Sequence, residues 1–441
     1  MKAAFRARRA PLQRLVFLCA LALLAAPHAG AQSGFSDPFH LAKISVSGQQ
    51  KLSASAIAGA SGLSVGQTVT LEEISAASKR LAEYGAFDNV NFRYVTQGDQ
   101  LELMLEVVES KHLLPCRFDN FVWLSPNDLD AELRQRVPLY TGSAPASGAM
   151  LEAIQDALGE ILKEHGVNAP VRAIPLTSGV GQPVGGMRFD AEGVALPIRQ
   201  LSFPGASAIS EEALRKQAAE LLGQNYSLTD VAIFARASLI PLYGERGYLR
   251  AEFSEPVARL LDSGSAGGGG VGVTLPVREG VSYEWNGAEW AGNHVFTATD
   301  LDRLLGMRRD EVADSQKYAR GIDDVNDAYS KQGYIQTVIS SDPVFDDSTR
   351  RVTYRIVVQE GPQFRMGSLL IFGFPANVTK QLVKSWKIRE GEVFDKAYIN
   401  AFLSTELPKN LHFHPPRRVN ISANLQEDPN AKKVDVQIVV K

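Results

Sequence analysis

Cysteine is nearly missing from this 441-residue chain: only Cys19 and Cys116 occur, and Cys19 lies in a segment read below as removable, so no intramolecular disulfide framework is available. Long apolar runs are missing as well. The longest, residues 15–26, would make a helix of about 18 Å, short of the ~30 Å hydrocarbon core, and no later stretch reaches ~18 apolar residues. No transmembrane span is expected. A basic surplus is the third absence. Lys+Arg 46 against Asp+Glu 49 leaves −3, without the clustered cations that phosphate contacts along a nucleic acid require. Nucleic acid is therefore excluded as a partner. What remains, 45% apolar and 22% charged, is a globular composition with length for about two to four domains.

Lys2, Arg6, Arg8, Arg9 and Arg14, with no acid among them, precede the apolar run, and Ala29-Gly30-Ala31 supplies the small residues that signal peptidase requires. The reading is a secretory signal over 1–31, cut between Ala31 and Gln32. The exported remainder then holds 41 basic against 49 acidic residues, a charge of −8. Cys19 follows Leu18, where lipid attachment to the thiol would need a small residue.

Self-similarity organises the rest. Short alternating runs ending in Gly or Asn recur at Ile44-Ser45-Val46-Ser47-Gly48, Arg117-Phe118-Asp119-Asn120, Leu201-Ser202-Phe203-Pro204-Gly205, Tyr283-Glu284-Trp285-Asn286-Gly287 and Leu369-Leu370-Ile371-Phe372-Gly373, spaced by 72, 85, 82 and 86 positions. After four of these runs comes an apolar residue, a Ser or Thr, and a second apolar residue: Leu52-Ser53 with Ile57, Leu124-Ser125 with Leu129, Ile209-Ser210 with Leu214, Phe296-Thr297 with Leu301. The hydroxyl suits a helix N-cap and the flanking pair a hydrophobic staple. The fifth copy, Phe374-Pro375-Ala376-Asn377, lacks this pattern.

A second helix follows each first one. In copy one, Thr70 and Glu73 form a capping box, and Leu71, Ile74, Ala77 and Leu81 share a face. These helices close on Gly85-Ala86-Phe87, Gly166-Val167, Gly247-Tyr248 and Gly333-Tyr334, where glycine suits the left-handed C′ position. Two strands complete the unit. Val90, Phe92 and Tyr94, then Leu101, Leu103, Leu105 and Val107, alternate with polar residues across the turn Gln97-Gly98-Asp99-Gln100. Later copies end at Val277-Arg278-Glu279-Gly280 and Val357-Val358-Gln359-Glu360-Gly361. The fold class is α+β: five tandem β-α-α-β-β units, each a three-stranded mixed sheet covered by two helices. Their expected bounds are 32–110, 111–196, 197–280, 281–362 and 363–441, the second and fifth divergent. Copy two inserts 141–150 between its helices, and a glycine-rich loop tip is expected at 262–270.

This unit, with its opening run to Gly, its Gly-Tyr helix exit and its terminal Val-x-Glu-Gly, resembles the polypeptide-transport-associated (POTRA) repeat over 41–441. The resemblance implies a periplasmic arm of outer-membrane assembly or translocation, associated with the outer membrane through a partner. Relatives end in a transmembrane barrel. Here the last unit reaches Lys441, so the expectation is an arm whose barrel is a separate protein. It also implies strand addition of unfolded outer-membrane polypeptide at sheet edges, on the strands expected at 88–96, 249–254 and 335–340. Val90, Phe92, Tyr94, Leu249, Phe253, Ile335 and Val338 are the candidate residues. The plainer reading is that neighbouring units or water cover these edges. A cell-division or secretion component could use the same repeat.

Enzymatic readings were weighed against this non-enzymatic one. Gly62-Leu63-Ser64-Val65-Gly66 matches a hydrolase elbow but joins two expected helices, where the motif needs a strand before it. Gly179-Val180-Gly181-Gln182-Pro183-Val184-Gly185 reads as a hairpin tip, and not as a phosphate loop. His412 and His414 share a strand face but lack a third ligand, so an exported metal-dependent enzyme has only this weak support. Cys116 reads as a small buried hydrophobe, and Trp285, Trp290 and Trp386 as core or inter-unit contacts. No catalytic residue, metal or cofactor is expected.

Overall fold

A computed structural model describes residues 38–177, 182–261, 269–410 and 421–440. The signal segment with Ala31 and Gln32, Cys19, His412, His414, most of the glycine-rich loop and residues 179–181 of the 179–185 tip lie outside the described residues. The chain divides at Lys111/His112 into two compact units. Among the described residues the strands form several small sheets, five of them mixed.

In the first unit, strand Phe39–Ser47 pairs in parallel with Gln100–Glu109, which pairs antiparallel with Phe87–Gln97. Helices Ala54–Ala60 and Leu71–Glu83 bring Ile57, Ile74, Ala77 and Leu81 against Leu101, Leu103 and Leu105, all essentially inaccessible to solvent. Ser53, Ser125, Ser210 and Thr297 each cap a helix, accepting from the N–H of Ala56, Asp128, Ala213 and Asp300. The Thr70–Glu73 capping box is present in both directions. The fifth sheet's first helix, Ala376–Ser385, starts at Pro375 without a side-chain cap.

Two expectations are corrected. The first two sheets have four strands, because a two-residue strand between the helices, Thr68–Val69 or Ser143–Ala144, pairs with the opening strand. In the later sheets the same pairing shrinks to single bridges, Pro197 with Asn225, Glu284 with Val312 and Arg365 with Val393. The backbone contact is recurrent: Gly66, Gly223, Asp310 and Gly391 donate N–H groups to the carbonyls of Leu41, Ile198, Trp285 and Met366 at 2.8–2.9 Å. All four residues have positive φ, so Asp310 occupies a left-handed position held by glycine elsewhere. The stretch between the second pair of helices, 137–148, is thus a slightly longer version of a linker every copy has.

The second correction concerns the fourth copy's opening run. Its strand is Glu284–Ala291 and continues through Gly287, where the register with Arg351–Gln359 shifts. The residue matching Gly48 and Gly205 is Gly292. At each of the three, φ is positive and a Cβ would fall 2.1–2.3 Å from a carbonyl oxygen, of Val107, Val277 or Val358. Two residues after those valines stand Glu109, Glu279 and Glu360, whose carboxylates accept backbone N–H groups of the loop leading into the first helix. The terminal Val-x-Glu therefore ties the last strand to the turn after the first. Burial would raise the Glu279 and Glu360 carboxyls, but these N–H donors outweigh it and hold both below the ordinary glutamate range.

Two second helices carry a widened π turn, Ala235–Leu239 and Phe402–Glu406, each ending two residues before a proline, Pro241 and Pro408. Proline lacks the N–H for an i−4 bond and its ring crowds that carbonyl, so the extra residue lets the helix run on.

Candidate functional site

The turn between helices bonds the first residues of each opening strand, while at the other border Phe87–Gln97, Val171–Thr177, Val257–Leu261, Val338–Asp346 and Ile421–Asp428 are terminal in their sheets. Pro175 and Pro343 interrupt two of these rows, removing an N–H donor from each. Phe87–Gln97 has no proline and is the longest, eleven residues or about 36 Å at ~3.3 Å per residue. Val90, Phe92 and Tyr94 lie on it, facing the helix-covered side opposite Val107, Leu105 and Leu103. Burial falls along the row, from half-buried Val90 and Phe92 to exposed Tyr94.

The later candidates are placed differently. Val338 begins a terminal strand and is exposed. Leu249 and Ile335 precede their strands, in turns after the helix exits, and each packs against the next sheet's core, Leu249 beside Tyr283 and Trp285 and Ile335 beside Phe364 and Met366. Phe253 sits on a two-residue strand paired with Val277–Arg278, its ring against Phe203 and Tyr243. The terminal strand there is Val257–Leu261. Sequence alternation places a strand straight after Gly-Tyr because Leu and Ile favour strands, but their burial in the neighbouring core wins.

Those turns form joints. Gly247 and Gly333 accept the N–H of Tyr283 and Phe364 at 2.9 and 2.8 Å. Arg250, three residues after Gly247, lies 4.1 Å over the Phe345 ring and bonds Asp347 at 3.0 Å, and Asp347 also accepts the Tyr283 hydroxyl at 2.5 Å. Gln336, three residues after Gly333, donates to Glu427 at 2.8 Å. The preceding joint is built otherwise: buried Asp119 accepts the N–H of Thr229 through its carboxylate and of Leu228 through its carbonyl, capping helix Leu228–Phe234. Sequence reasoning missed these residues; the repeated spacing of Arg250 and Gln336 after glycine was the available signal.

At that earlier joint a cavity of about 530 Å³ opens between Arg117–Glu255, an ion pair at 3.8 Å, and an apolar wall of Phe118, Phe121, Trp123 and Tyr140. Consecutive residues 255–260 border it, both alternating faces included, so the cavity runs along the free backbone of Val257–Leu261. Cys116 reaches the same cavity; burial, then the Asp130 charge, pushes its thiol up to about 12. Ser64 lies between helices Ala54–Ala60 and Leu71–Glu83 without a preceding strand at the elbow. Trp285 is buried, Trp290 donates to Asp302 at 2.8 Å, and Trp386 packs on Tyr398 and Phe402. Among the described residues there is no helix long and apolar enough to cross a membrane and no cluster of three His, Cys, Asp or Glu side chains placed to hold a metal.

Residues 39–110 and 283–361 match the POTRA family, the surface antigen variable number repeat. The chain is 23% identical over 359 residues to a putative outer membrane protein assembly factor of Treponema pallidum, covering 74% of this chain and 43% of that protein. It is 25% identical over 219 residues to the outer membrane protein assembly factor BamA of Neisseria meningitidis serogroup B, covering 47% and 27%. The chain therefore spans less than half the length of these curated relatives. Among solved structures, POTRA3-5 of Haemophilus influenzae BamA aligns with a TM-score of 0.44 at 20% identity, over 56% of this chain and 96% of that one. The chain thus carries POTRA repeats at 39–110 and 283–361 and is similar over much of its length to proteins named as outer membrane protein assembly factors.

Proposed function

We propose that this chain is a non-enzymatic scaffold or holding protein of the periplasm, built of five tandem units, that serves outer-membrane protein assembly or translocation. It takes extended segments of unfolded outer-membrane proteins, or of a barrel-bearing partner, by strand addition. One observation carries the reading: each mixed sheet leaves its hairpin strand terminal, while the chain's own turn bonds the start of its opening strand. A terminal strand offers backbone N–H and C=O groups without selecting a sequence, which suits varied clients. Tandem open rows act on one client through effective concentration. Two relatives named as outer membrane protein assembly factors support the cellular setting.

The test is a photo-crosslinking residue at Tyr94, on the open row, or at Thr68, on the occupied border. With an unfolded outer-membrane barrel polypeptide, the expected result is an adduct from position 94 and none from 68. Equal capture at both, or capture at neither, overturns the reading. N-terminal sequencing of the exported protein is expected to begin at Gln32.

A further inference from the structure

Strand addition at the hairpin borders leaves the third sheet's opening strand, along which a cavity of about 380 Å³, within the ordinary size of ligand sites, reaches from the face turned away from the helices round to Arg215 on helix Glu211–Gln217 and to Leu222. Val271 and Val273 point to the core, so Gly272 and Thr274 belong to the opposite face, in register with Arg259 and Val257 on one side and Gln200 and Ser202 on the other. Gly272 contributes no side chain. A Cβ there would lie 3.3 Å from Leu261 Cδ2 and 3.7 Å from both Arg259 Nε and Gln200 Oε1, so these polar groups flank the glycine beside an apolar methyl.

Arg199 joins them through a bulge: the register passes from Ile198–Val271 to Gln200–Gly272, leaving Arg199 unpaired and both it and Gln200 on the cavity. A third guanidinium, Arg215, is held at the rim by the Leu201 carbonyl at 3.0 Å and Glu211 at 2.8 Å. Ser202 donates to Thr274 at 3.1 Å, placing two hydroxyls on the same wall. Among the described residues no carboxylate lines the cavity, and neither Arg199 nor Arg259 has an acidic partner. Two guanidiniums without an acidic partner, a third already paired with Glu211, and two hydroxyls line the cavity, a local arrangement that an anion relieves.

We propose that this cavity binds a phosphoryl oxyanion, held in guanidinium forks by Arg199 and Arg259 with Ser202 and Thr274 completing its hydrogen bonds. Guanidinium groups match phosphoryl oxygens in pairs, which a point-charge ammonium does not. The same chemistry is offered by free phosphate and by a phospholipid headgroup, and exposed Leu222 at the cavity and Val257 beside Thr274 give an apolar flank to either a chain-bearing or a bare ligand.

The experiment has two arms on the full chain. In one, inorganic phosphate is titrated by calorimetry at low ionic strength; in the other, phosphatidylglycerol and phosphatidylcholine vesicles are tested by flotation. Arg199→Lys with Arg259→Lys keeps the charge and removes the forks; Thr274→Val removes a hydroxyl alone. Phosphate binding that weakens at least tenfold in the double variant supports the site with a free anion. Flotation with phosphatidylglycerol only, lost in the double variant, supports the same site with a lipid-borne one. Binding that the lysine variant keeps in full, or no binding in either arm, overturns the proposal. Unchanged thermal melts of both variants verify that the fold is intact, and because none of these residues is on the Phe87–Gln97 row, failure here leaves crosslinking at Tyr94 unaffected.

Discussion

The Gly333 carbonyl accepts the Phe364 N–H at 2.8 Å, and a Cβ at 333 would fall 2.5 Å from the Phe364 carbonyl oxygen. Gly247 stands in the same relation to Tyr283, with a Cβ 2.6 Å from its oxygen. The helix exit and the start of the next sheet are therefore in direct backbone contact, which only glycine at positive φ permits.

Gly333→Ala separates strain from contact when compared with Gly193→Ala, which has a similar φ and open space around it. The control is expected to lose about 1 kcal/mol from left-handed strain, and Gly333→Ala about 3 kcal/mol as the clash adds. Urea denaturation of the full chain measures both. Equal losses would mean that the close approach does not dictate the residue.

Glu279 and Glu360 set an acid limit. Their folded pKa values are lowered by the N–H groups they accept, so their contribution is full above the unfolded pKa of ~4.3 and is lost as pH falls through the lower folded value. Glu279→Gln with Glu360→Gln is expected to be less stable at neutral pH and to lose less than the wild type on acidification below that pKa. Urea midpoints across the range check this; parallel curves for both proteins would refute it.

Arg250 is expected to act through the ring more than through its ion pair. Asp347 is solvent-exposed, so that pair is screened, whereas the guanidinium lies 4.1 Å above the Phe345 ring and 5.5 Å above that of Tyr283. Arg250→Ala is expected to cost about 1 kcal/mol and Asp347→Asn distinctly less. A double-mutant cycle with Phe345→Leu measures the coupling, and independence of positions 250 and 345 would exclude the ring contact.

Cys116, with its thiol pushed up to about 12, holds almost no thiolate at pH 8. Alkylation of its peptide in the native chain, followed by mass spectrometry, is expected to run at least a hundredfold slower than in urea. Comparable rates would show that the side chain is open to reagent.

Much of the repeat was legible because it is local. Caps at Ser53, Ser125, Ser210 and Thr297 depend on neighbouring residues, and the structure keeps all four. The misplacement of the fourth opening run came from two nearby glycines, one within the strand and one just after it: Gly287 looks like the motif, but only Gly292 lies five residues before Thr297, the distance found from Gly48 to Ser53 and from Gly205 to Ser210. Nonlocal features left no such trace. That Leu249 and Ile335 serve the next core, and that the linker around Gly66 closes a border, are facts of chain packing that alternation patterns do not carry. The terminal position of the strand that carries Val90, Phe92 and Tyr94 was legible, since the opening strand and the hairpin's second strand pair with each other and leave it outermost.

The turn tied to each opening strand also governs how copies of this chain can meet. Where that turn bonds the first residues of an opening strand, a second copy finds those N–H and C=O groups already used, whereas the hairpin strands stay terminal. At those residues edge-to-edge pairing between copies is blocked, a local brake on sheets adding strands without limit.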